Sequence, residues 1–400
     1  KNSRFQPVRG RRPGGGRLRP HIGRRMHKPA ITAVLLIALT TLAHGQSPAP
    51  PEINASGFLL IDFDSDTALA AKDAEQRLEP ASLTKIMTAY TVFHELSSGS
   101  IRESDEVVVS EKAWKTPGSR MFIEVNKRVK VSDLLKGMIV QSGNDASVAL
   151  AEHIAGSEDA FANLMNDHAR RLDMLDTHFV NATGLPDEQH YTTPADIAKV
   201  TAAMIREFPG YYELYSVREF TFNDIRQHNR NKLLWRDDSV DGVKTGHTEA
   251  AGYCLVASAK RDTMRLISVV MGTESVKARS RESQALLNYG FRFFETHRLY
   301  GANSGLTRTR IWMGEREEVA VGLVEDLHVT IPRRQYDNLN ARTELRSQVS
   351  APIELGQKLG ELVVELDGEL IARRPLVALS PVAEGGLWRK AVDTVLMMLE

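Results

Sequence analysis

The chain has 400 residues, of which 42% are hydrophobic and 26% are charged, as is usual for a soluble globular protein with room for more than one domain. The formal net charge is zero, but residues 1–45 carry ten Lys or Arg and no acidic residue, which leaves 41 basic and 51 acidic side chains and a net charge of −10 in the remainder. This balance gives no reason to expect a nucleic-acid partner, and the single cysteine, Cys254, excludes an internal disulfide.

Residues 1–45 are predicted to be a basic extension followed by a secretory signal peptide. Lys28 precedes an apolar run at 30–43, and Ala43 and Gly45 supply small residues at the cleavage spacing. The run is shorter than the roughly 20 residues that span a bilayer. We therefore expect translation to begin at Met26 and the product to be exported. The alternative is that the first 25 residues form a disordered basic arm.

After a Pro-rich linker at 46–52, residues 52–300 are predicted to form one domain. Its predicted strands cover 57–63, 67–71, 240–246, 253–259 and 265–271. Its predicted helices cover 82–96, 132–154 with a break at 142–144, 158–174 behind the capping Ser157, 195–208 behind the capping Thr193, and 277–296. Strands at both ends thus enclose a helical middle, which predicts an α/β fold whose terminal strands share one antiparallel sheet.

The pattern changes at residue 301 to short alternating segments separated by turns such as Asp367-Gly368. The predicted strands cover 318–324, 327–331, 343–349, 362–366 and 370–372. We expect a small all-β domain over 301–383.

Residues 385–400 are predicted to form a separate amphipathic helix. A helical wheel places most of its apolar side chains on one half and most of its charges on the other. Because 16 residues span roughly 24 Å and the charges lie mid-segment, we expect this helix to lie on a membrane surface, with Trp388 at the interface. Gly385-Gly386 favours a detached helix, and the alternative is a helix packed on the β domain.

Three short motifs occur in order along the first domain. They are Ser82-Leu83-Thr84-Lys85, Ser142-Gly143-Asn144 and Lys244-Thr245-Gly246, the last followed by His247. Each has an ordinary explanation when taken alone, such as a helix cap for Ser82 or a solvated lysine for Lys85. Their joint occurrence is more specific, because each falls on the predicted element that its chemistry requires.

Ser82 and Lys85 are the predicted nucleophile and base. A serine hydroxyl needs a base to remove its proton, and Lys85 lies three residues on, on the same face of the predicted helix. A lysine can accept that proton only when neutral, so its ordinary pKa of roughly 10.4 must be lowered. We expect burial and the positive charge of Lys244 to lower it.

The other motif residues are predicted to bind substrate or to move protons. Ser142 and Asn144 lie on a turn, where they can relay protons and bind a substrate amide. Lys244 and the Thr245 hydroxyl suit a carboxylate. Gly246 lets a substrate backbone lie along the strand edge, and the backbone N–H of His247 is expected to complete an oxyanion hole with that of Ser82. The role of the His247 ring is left open.

These motifs resemble the signature of penicillin-binding proteins and serine β-lactamases. The stretches at 80–85 (Pro-Ala-Ser-Leu-Thr-Lys) and 241–248 (Asp-Gly-Val-Lys-Thr-Gly-His-Thr) are similar to those of the low-molecular-mass D-alanyl-D-alanine carboxypeptidases, and the resemblance covers about 51–400. It implies a β-lactamase/transpeptidase-like domain, an antiparallel sheet with helices on both faces, followed by a β-rich stalk and a membrane anchor.

The same resemblance implies the activity. The substrates would be peptidoglycan stem peptides ending in D-Ala-D-Ala, cleaved through an acyl-enzyme on Ser82 at the periplasmic side of the inner membrane, with β-lactams as covalent inhibitors. It also implies that Arg279 helps Lys244 to bind the terminal carboxylate and that Arg230 lies near Ser142, although either could equally be a surface charge. No metal or cofactor is expected, and no metal-binding motif such as His-Glu-x-x-His occurs.

Four alternatives stay open. A class A β-lactamase would need a Glu-x-x-Leu-Asn segment between the second and third motifs; none is found there, and Glu188 lacks that context. An endopeptidase would use the same serine chemistry. A penicillin sensor would be joined to a transmembrane or cytoplasmic signalling segment, which is not recognisable here. A scaffold protein of the envelope would leave the three motifs unexplained.

Overall fold

The computed structural model describes residues 48–398, so the predicted signal peptide and the last two residues lie outside the described part. The strands are β1 Gly57–Asp62, β2 Ala68–Lys72, β3 Glu106–Val108, β4 Arg128–Lys130, β5 Glu219–Phe222, β6 Ile225–His228, β7 Val240–Thr248, β8 Gly252–Arg261, β9 Met264–Thr273, β10 Phe294–Tyr300, β11 Gly305–Arg310, β12 Glu318–Gly322, β13 Leu327–Pro332, β14 Leu339–Leu345, β15 Lys358–Leu366 and β16 Glu369–Ala378. The helices are α1 Thr84–Ser98, α2 Glu111–Lys115, α3 Val131–Lys136, α4 Asn144–Ala155, α5 Glu158–Arg171, α6 Pro194–Glu207, α7 Pro209–Tyr212, α8 Val276–Phe293 and α9 Leu387–Met397.

A five-stranded antiparallel sheet organises the first domain, in the order β2-β1-β9-β8-β7. β1, with the sequence Gly-Phe-Leu-Leu-Ile-Asp, is buried along its whole length, because it lies inside the sheet with both faces covered. It pairs with β9, so strands from the two ends of the domain share one sheet and the predicted α/β fold is confirmed. β7, which carries the third motif, lies at the open edge.

Helices cover both faces of this sheet. One apolar core lies on the side of the helical middle and includes Ile86, Met87 and Phe93 of α1. A second core lies on the side of α8 and includes its Leu286 and Leu287. The predicted caps are confirmed: the Ser157 side chain accepts from the Ala160 N–H, and that of Thr193 from the Asp196 N–H.

The second domain is built from a β10-β13 pair and a five-stranded sheet in the order β11-β12-β16-β15-β14. Several boundaries differ from those predicted, and two of the differences have a clear cause. α8 ends at Phe293 instead of continuing to Thr296, because the next seven residues pair with β13. The strand predicted at 343–349 is β14 at Leu339–Leu345, whose register is set by pairing with β15. Both differences arise from pairing with residues distant in sequence.

Gly385-Gly386 favours a detached terminal helix, and this expectation is wrong. The charged face of α9 holds it against the β domain. Asp393 is only 3% exposed and accepts a hydrogen bond of 2.6 Å from the Met313 N–H. Arg389 pairs with both Asp393 and Glu317. The apolar face points away from the domain, so that Trp388 is 83% exposed. Within residues 48–398 no helix has the length and hydropathy needed to cross a bilayer.

Candidate active site

Ser82 lies in a short helical turn, Ala81–Leu83, directly before α1 rather than within the α-helix itself. Ala81 has a left-handed φ of 46°, a conformation that non-glycine residues seldom adopt. The edge strand β7 passes close by: a Cβ on Gly246 would lie 3.1 Å from the Pro80 carbonyl oxygen and 3.3 Å from the Ser82 nitrogen. Glycine at 246 therefore lets the third motif lie against the turn that carries Ser82.

Lys85 is completely buried behind Ser82, and its Nζ has three polar neighbours. It lies 2.7 Å from Asn144 Oδ1, 2.6 Å from the Thr183 carbonyl oxygen and 3.1 Å from Ser82 Oγ. A neutral amine has two N–H groups and one lone pair. Because the two amide-type oxygens can only accept, they take the two N–H groups, and the lone pair is left for the Ser82 hydroxyl.

The electrostatic surroundings favour this neutral form. Burial and, to a smaller extent, the charge of the nearby Arg230 lower the pKa of Lys85 from 10.5 to about 7, against the opposing effect of Asp145 and Glu158. Arg230 thus adds a positive charge near Lys85 that the sequence analysis did not assign. Lys244, which it did assign, interacts with Lys85 as well.

Lys244 is itself subject to the same effects. Its pKa is held well below the usual value, first by burial and then by the charges of Lys85, Arg230 and Arg279. Four basic side chains therefore act on one small region. In such a cluster a proton on one lysine disfavours a proton on the other.

Ser142 forms a second polar pair with Lys244. It follows the π-helical turn Gly137–Gln141 and has a left-handed φ of 67°. Lys244 Nζ donates hydrogen bonds of 2.9 Å to Ser142 Oγ and 2.8 Å to the Thr245 carbonyl oxygen. The second and third motifs are therefore in direct contact, as required if Ser142 is to relay a proton.

Asn144 supports Lys85 from the same side. Its Oδ1 accepts from Lys85, and its Nδ2 donates to the Pro117 carbonyl oxygen at 2.6 Å. Both ends of the amide are thus engaged within the protein, and binding of a substrate amide by Asn144 stays a prediction.

The motif residues open onto a cleft of about 170 Å³. It is lined by Ser82, Ser119, Ser142, Arg230, Thr245, Gly246, His247, Tyr253, Val276 and Arg279. Grooves of about 880 and 730 Å³ elsewhere on the described surface are larger but contain no motif residue. The smaller cleft is the candidate active site because Ser82 lines it and Lys85 lies directly behind Ser82.

Two arginines make the cleft strongly positive. Arg279 is only 6% exposed, donates from Nη1 to the Gly246 carbonyl oxygen at 2.9 Å, and has a buried Nε without a hydrogen-bond partner. Burial lowers its pKa to about 10, so it is still protonated at neutral pH. Arg230 donates from Nε to the Gln141 carbonyl oxygen at 2.9 Å, next to Ser142. The structure thus places both arginines at the cleft rather than on the outer surface.

The ring of His247 is exposed at the cleft and packs on Tyr253, with ring centroids 3.9 Å apart. His247 comes directly after Gly246 on the edge strand β7, so its backbone lies beside the turn that carries Ser82.

Two residues outside the motifs shape the site. Thr183 contributes its backbone carbonyl oxygen, which accepts from Lys85. Because every residue has such an oxygen, the residue type at 183 gives no indication of this role. Asp145 accepts hydrogen bonds from the backbone N–H groups of Met121 and Phe122, at 3.0 and 2.9 Å, and so fixes the segment that follows Ser119. An acidic residue directly after Asn144 of the second motif is visible in the sequence, and it could have indicated that Asp145 supports the site.

Comparison with known proteins agrees with this geometry. The family model described as D-alanyl-D-alanine carboxypeptidase matches residues 44–275, and that of the penicillin-binding protein 5 C-terminal domain matches 294–384. D-alanyl-D-alanine carboxypeptidase DacA of Escherichia coli K12 is 40% identical over 390 residues, covering 94% of this chain and 97% of its own. DacA of Haemophilus influenzae is 42% identical over 357 residues, covering 88% and 91%.

Solved structures give the same assignment. Penicillin binding protein 5 from Haemophilus influenzae is 43% identical with a TM-score of 0.82, covering 84% of this chain and 99% of its own. Penicillin binding protein 6B from Escherichia coli is 36% identical with a TM-score of 0.70, covering 84% and 98%. The chain belongs to the D-alanyl-D-alanine carboxypeptidase family and is a serine-type hydrolase with the fold of penicillin-binding protein 5.

Proposed function

We propose that Ser82 and Lys85 form the nucleophile–base pair with which this chain removes the terminal D-alanine from peptidoglycan peptides ending in D-Ala-D-Ala. The observation that carries the proposal is the environment of Lys85 Nζ: two acceptors occupy its N–H groups, and the remaining position faces Ser82 Oγ at 3.1 Å. A general base must lie within hydrogen-bond reach of the proton that it takes, and its pKa must lie near the working pH. Lys85 meets both conditions.

In the acylation step, Ser82 Oγ attacks the carbonyl carbon between the two D-alanines while its proton passes to Lys85 Nζ. The C–N bond of the resulting tetrahedral intermediate then breaks, and the proton that Lys85 took from Ser82 is relayed to the leaving amine through Ser142, which lies 2.9 Å from Lys244 Nζ. Lys85 is then neutral again. In the second step, water attacks the ester and gives one proton to Lys85, the bond between Ser82 Oγ and the acyl group breaks, and Lys85 returns that proton to Ser82 Oγ. The peptide leaves as a carboxylic acid, which loses its own proton to solvent.

The backbone N–H groups of Ser82 and His247 are the proposed oxyanion hole. Two observations support this role: β7 is an edge strand, and the Gly246 backbone that precedes His247 lies against the Ser82 nitrogen. Fixed donors placed where negative charge develops stabilise the transition state. The same edge offers a substrate backbone a place to add as a further strand.

Arg279 and the Thr245 hydroxyl are the proposed partners of the substrate's terminal carboxylate. Both line the cleft, and Arg279 presents a buried cation whose Nε has no partner. Lys244, which the sequence analysis assigned to this carboxylate, has its Nζ 2.9 Å from Ser142 Oγ and does not line the cleft.

Replacing Arg279 by alanine is expected to weaken carboxylate ligands selectively. A charge-assisted hydrogen bond contributes about 1.5–3 kcal/mol, so the second-order rate constant of acylation by a penicillin should fall roughly 10- to 150-fold. Its methyl ester should be affected little, and Arg279→Lys should retain part of the preference. Equal losses for the acid and the ester would show that Arg279 does not bind this carboxylate.

The pH dependence of acylation tests the proposed base. Because only neutral Lys85 accepts a proton, and its pKa is lowered to about 7, the rate should rise about tenfold per pH unit below neutrality and level off above it. Acylation at pH ~5 should therefore be about 100-fold slower than on the plateau. Stopped-flow measurement with a fluorescent penicillin gives the profile. A rate that still climbs between pH ~8 and ~10 would mean that Lys85 keeps an ordinary lysine pKa.

We infer that the enzyme is exported by its signal peptide and held at the periplasmic face of the inner membrane by residues 385–400. The support is the orientation of α9. Its charged face is taken up by Asp393 and Arg389 contacts, while Leu387, Trp388 and Val395 are 88%, 83% and 58% exposed. An exposed apolar face with an aromatic residue suits the headgroup region of a bilayer.

Deletion of 385–400 is expected to release an active enzyme with full penicillin binding into the soluble fraction. Val395→Glu is the sharper variant, because it charges the apolar face and leaves the Asp393 and Arg389 contacts intact. Both should lose co-sedimentation with phospholipid vesicles that the full chain retains. If either variant still sediments with membranes, α9 is not the anchor. If either variant loses acylation, α9 is not a separate anchor, because the catalytic domain then depends on it.

A further inference from the structure

A loop at 181–185 contacts both the proposed base and the turn that carries the proposed nucleophile. The Thr183 carbonyl oxygen accepts from Lys85 Nζ at 2.6 Å. Gly184 has a left-handed φ of 82°, and a Cβ there would lie 1.8 Å from the Ala81 carbonyl oxygen and 2.9 Å from Thr84 Oγ1. The loop backbone therefore forms the wall behind Ser82 and Lys85.

The Asn181 side chain makes hydrogen bonds to three residues of this loop. Asn181 Oδ1 accepts from the Thr183 N–H at 3.1 Å, the Thr183 hydroxyl at 2.9 Å and the Gly184 N–H at 2.7 Å. Its Nδ2 donates to the Leu185 carbonyl oxygen at 3.0 Å. The peptide group between Thr183 and Gly184 supplies the carbonyl that Lys85 uses, and the N–H of that same peptide is held by Asn181. The direction of the carbonyl thus depends on Asn181.

The direction of this carbonyl matters because it sets the orientation of the amine. With one N–H on Asn144 Oδ1 and the other on the Thr183 oxygen, the lone pair of Lys85 points at Ser82. If the carbonyl turned away, the amine could rotate about its last bond and present an N–H to Ser82 instead. Reacting groups that are displaced by about 1 Å can lose on the order of 100-fold in rate.

We propose that Asn181 is a positioning residue for the base Lys85 and acts through the Thr183 carbonyl. The inference rests on the proposed role of Lys85. It predicts a defect in the chemical step and not in ligand binding, because Asn181 does not line the cleft.

Asn166 provides a matched control. Its Nδ2 donates to the Phe179 carbonyl oxygen at 2.8 Å, and its Oδ1 accepts from the Phe179 N–H at 2.9 Å. It fastens the same segment of chain two residues upstream with the same chemical group, but these bonds do not involve Thr183. Asn166→Ala should therefore reproduce the loss of stability without turning the carbonyl.

The test separates binding from acylation in the full chain. Stopped-flow kinetics with a fluorescent penicillin give the dissociation constant of the initial complex and the first-order acylation constant, and thermal melting gives the stability. Asn181→Ala is expected to lower the acylation constant by about 10-fold or more, with the dissociation constant unchanged within about twofold. Asn166→Ala should leave both constants within about twofold at a similar loss of melting temperature.

Rescue by a conservative variant adds a second readout. Asn181→Asp keeps the oxygen that accepts all three bonds, so it should recover most of the acylation constant. The added negative charge raises the pKa of Lys85, so this variant is compared at pH ~9, where the amine is neutral.

Equal acylation constants for the two alanine variants, or a defect confined to the dissociation constant, would overturn the proposal. Should Asn181→Ala not fold, Asn181→Ser, whose shorter side chain cannot reach all three donors, is judged by the same two outcomes. The result is separable from the role of Lys85 itself. If Lys85 is not the base, the wild-type pH profile lacks its break near 7; if only the role of Asn181 is wrong, that break stays.

Discussion

Replacing Ser82 by alanine is expected to abolish covalent labelling by penicillin while leaving the fold intact. The hydroxyl faces the cleft, and its loss leaves Lys85 with its bonds to Asn144 and Thr183, so little packing is disturbed. Intact-mass measurement decides the outcome. The wild-type chain should gain one drug mass and the Ser82→Ala variant none.

Ser119 supplies the control for this substitution, because it is another serine that lines the same cleft. The Ser119→Ala variant should still gain one drug mass. An adduct on the Ser82→Ala variant would mean that a different residue is the nucleophile.

Lys85→Arg is expected to stop acylation by every ligand, with or without a carboxylate. Arginine stays protonated at any accessible pH, so it cannot accept the Ser82 proton. General-base catalysis contributes about 10²- to 10⁴-fold, and a loss of this size is expected in the acylation rate constant. Thermal melting and stopped-flow acylation are measured on the same preparations.

Because Lys85 is completely buried, the larger guanidinium could disturb the fold, and Lys85→Met supplies a variant of similar length without a charge or a lone-pair nitrogen. It should show the same loss with a near-native melting curve. Retention of more than about a tenth of the wild-type rate by either variant would exclude Lys85 as the principal base.

Much of the site could be predicted from the sequence because its chemistry is carried by side chains in short local motifs. Ser82 and Lys85 are three residues apart, so their contact follows from helical geometry alone. The caps at Ser157 and Thr193 were predictable for the same reason, since a cap depends only on the next few residues.

The features that were not predicted depend on contacts between distant segments. Arg230 adds to the lowering of the pKa of Lys85, and this could be known only from distances across the cleft. The Thr183 carbonyl is a backbone atom that any residue type could supply. The end of α8 at Phe293 is set by the pairing of Phe294–Tyr300 with β13, and local helical periodicity contains no information about that partner.

The docking of α9 illustrates a related difficulty. Gly385-Gly386 favours a flexible joint, yet the Asp393 side chain accepts a hydrogen bond from the Met313 N–H, 80 residues earlier in the chain. Amphipathicity correctly separated the two faces of the helix. It could not tell which face would contact the protein, because a charged face binds a domain well when its ion pairs and hydrogen bonds are satisfied.

The release of D-alanine from a peptide that ends in D-Ala-D-Ala is the most direct test of the proposed activity. The purified chain is incubated with the peptide, and free D-alanine and the shortened peptide are quantified. We expect one D-alanine per peptide cleaved, no release by the Ser82→Ala variant, and complete inhibition after the wild-type chain has been labelled with penicillin. A wild-type chain that takes up penicillin on Ser82 yet releases no D-alanine would be a penicillin-binding module without carboxypeptidase activity, contrary to the function proposed here.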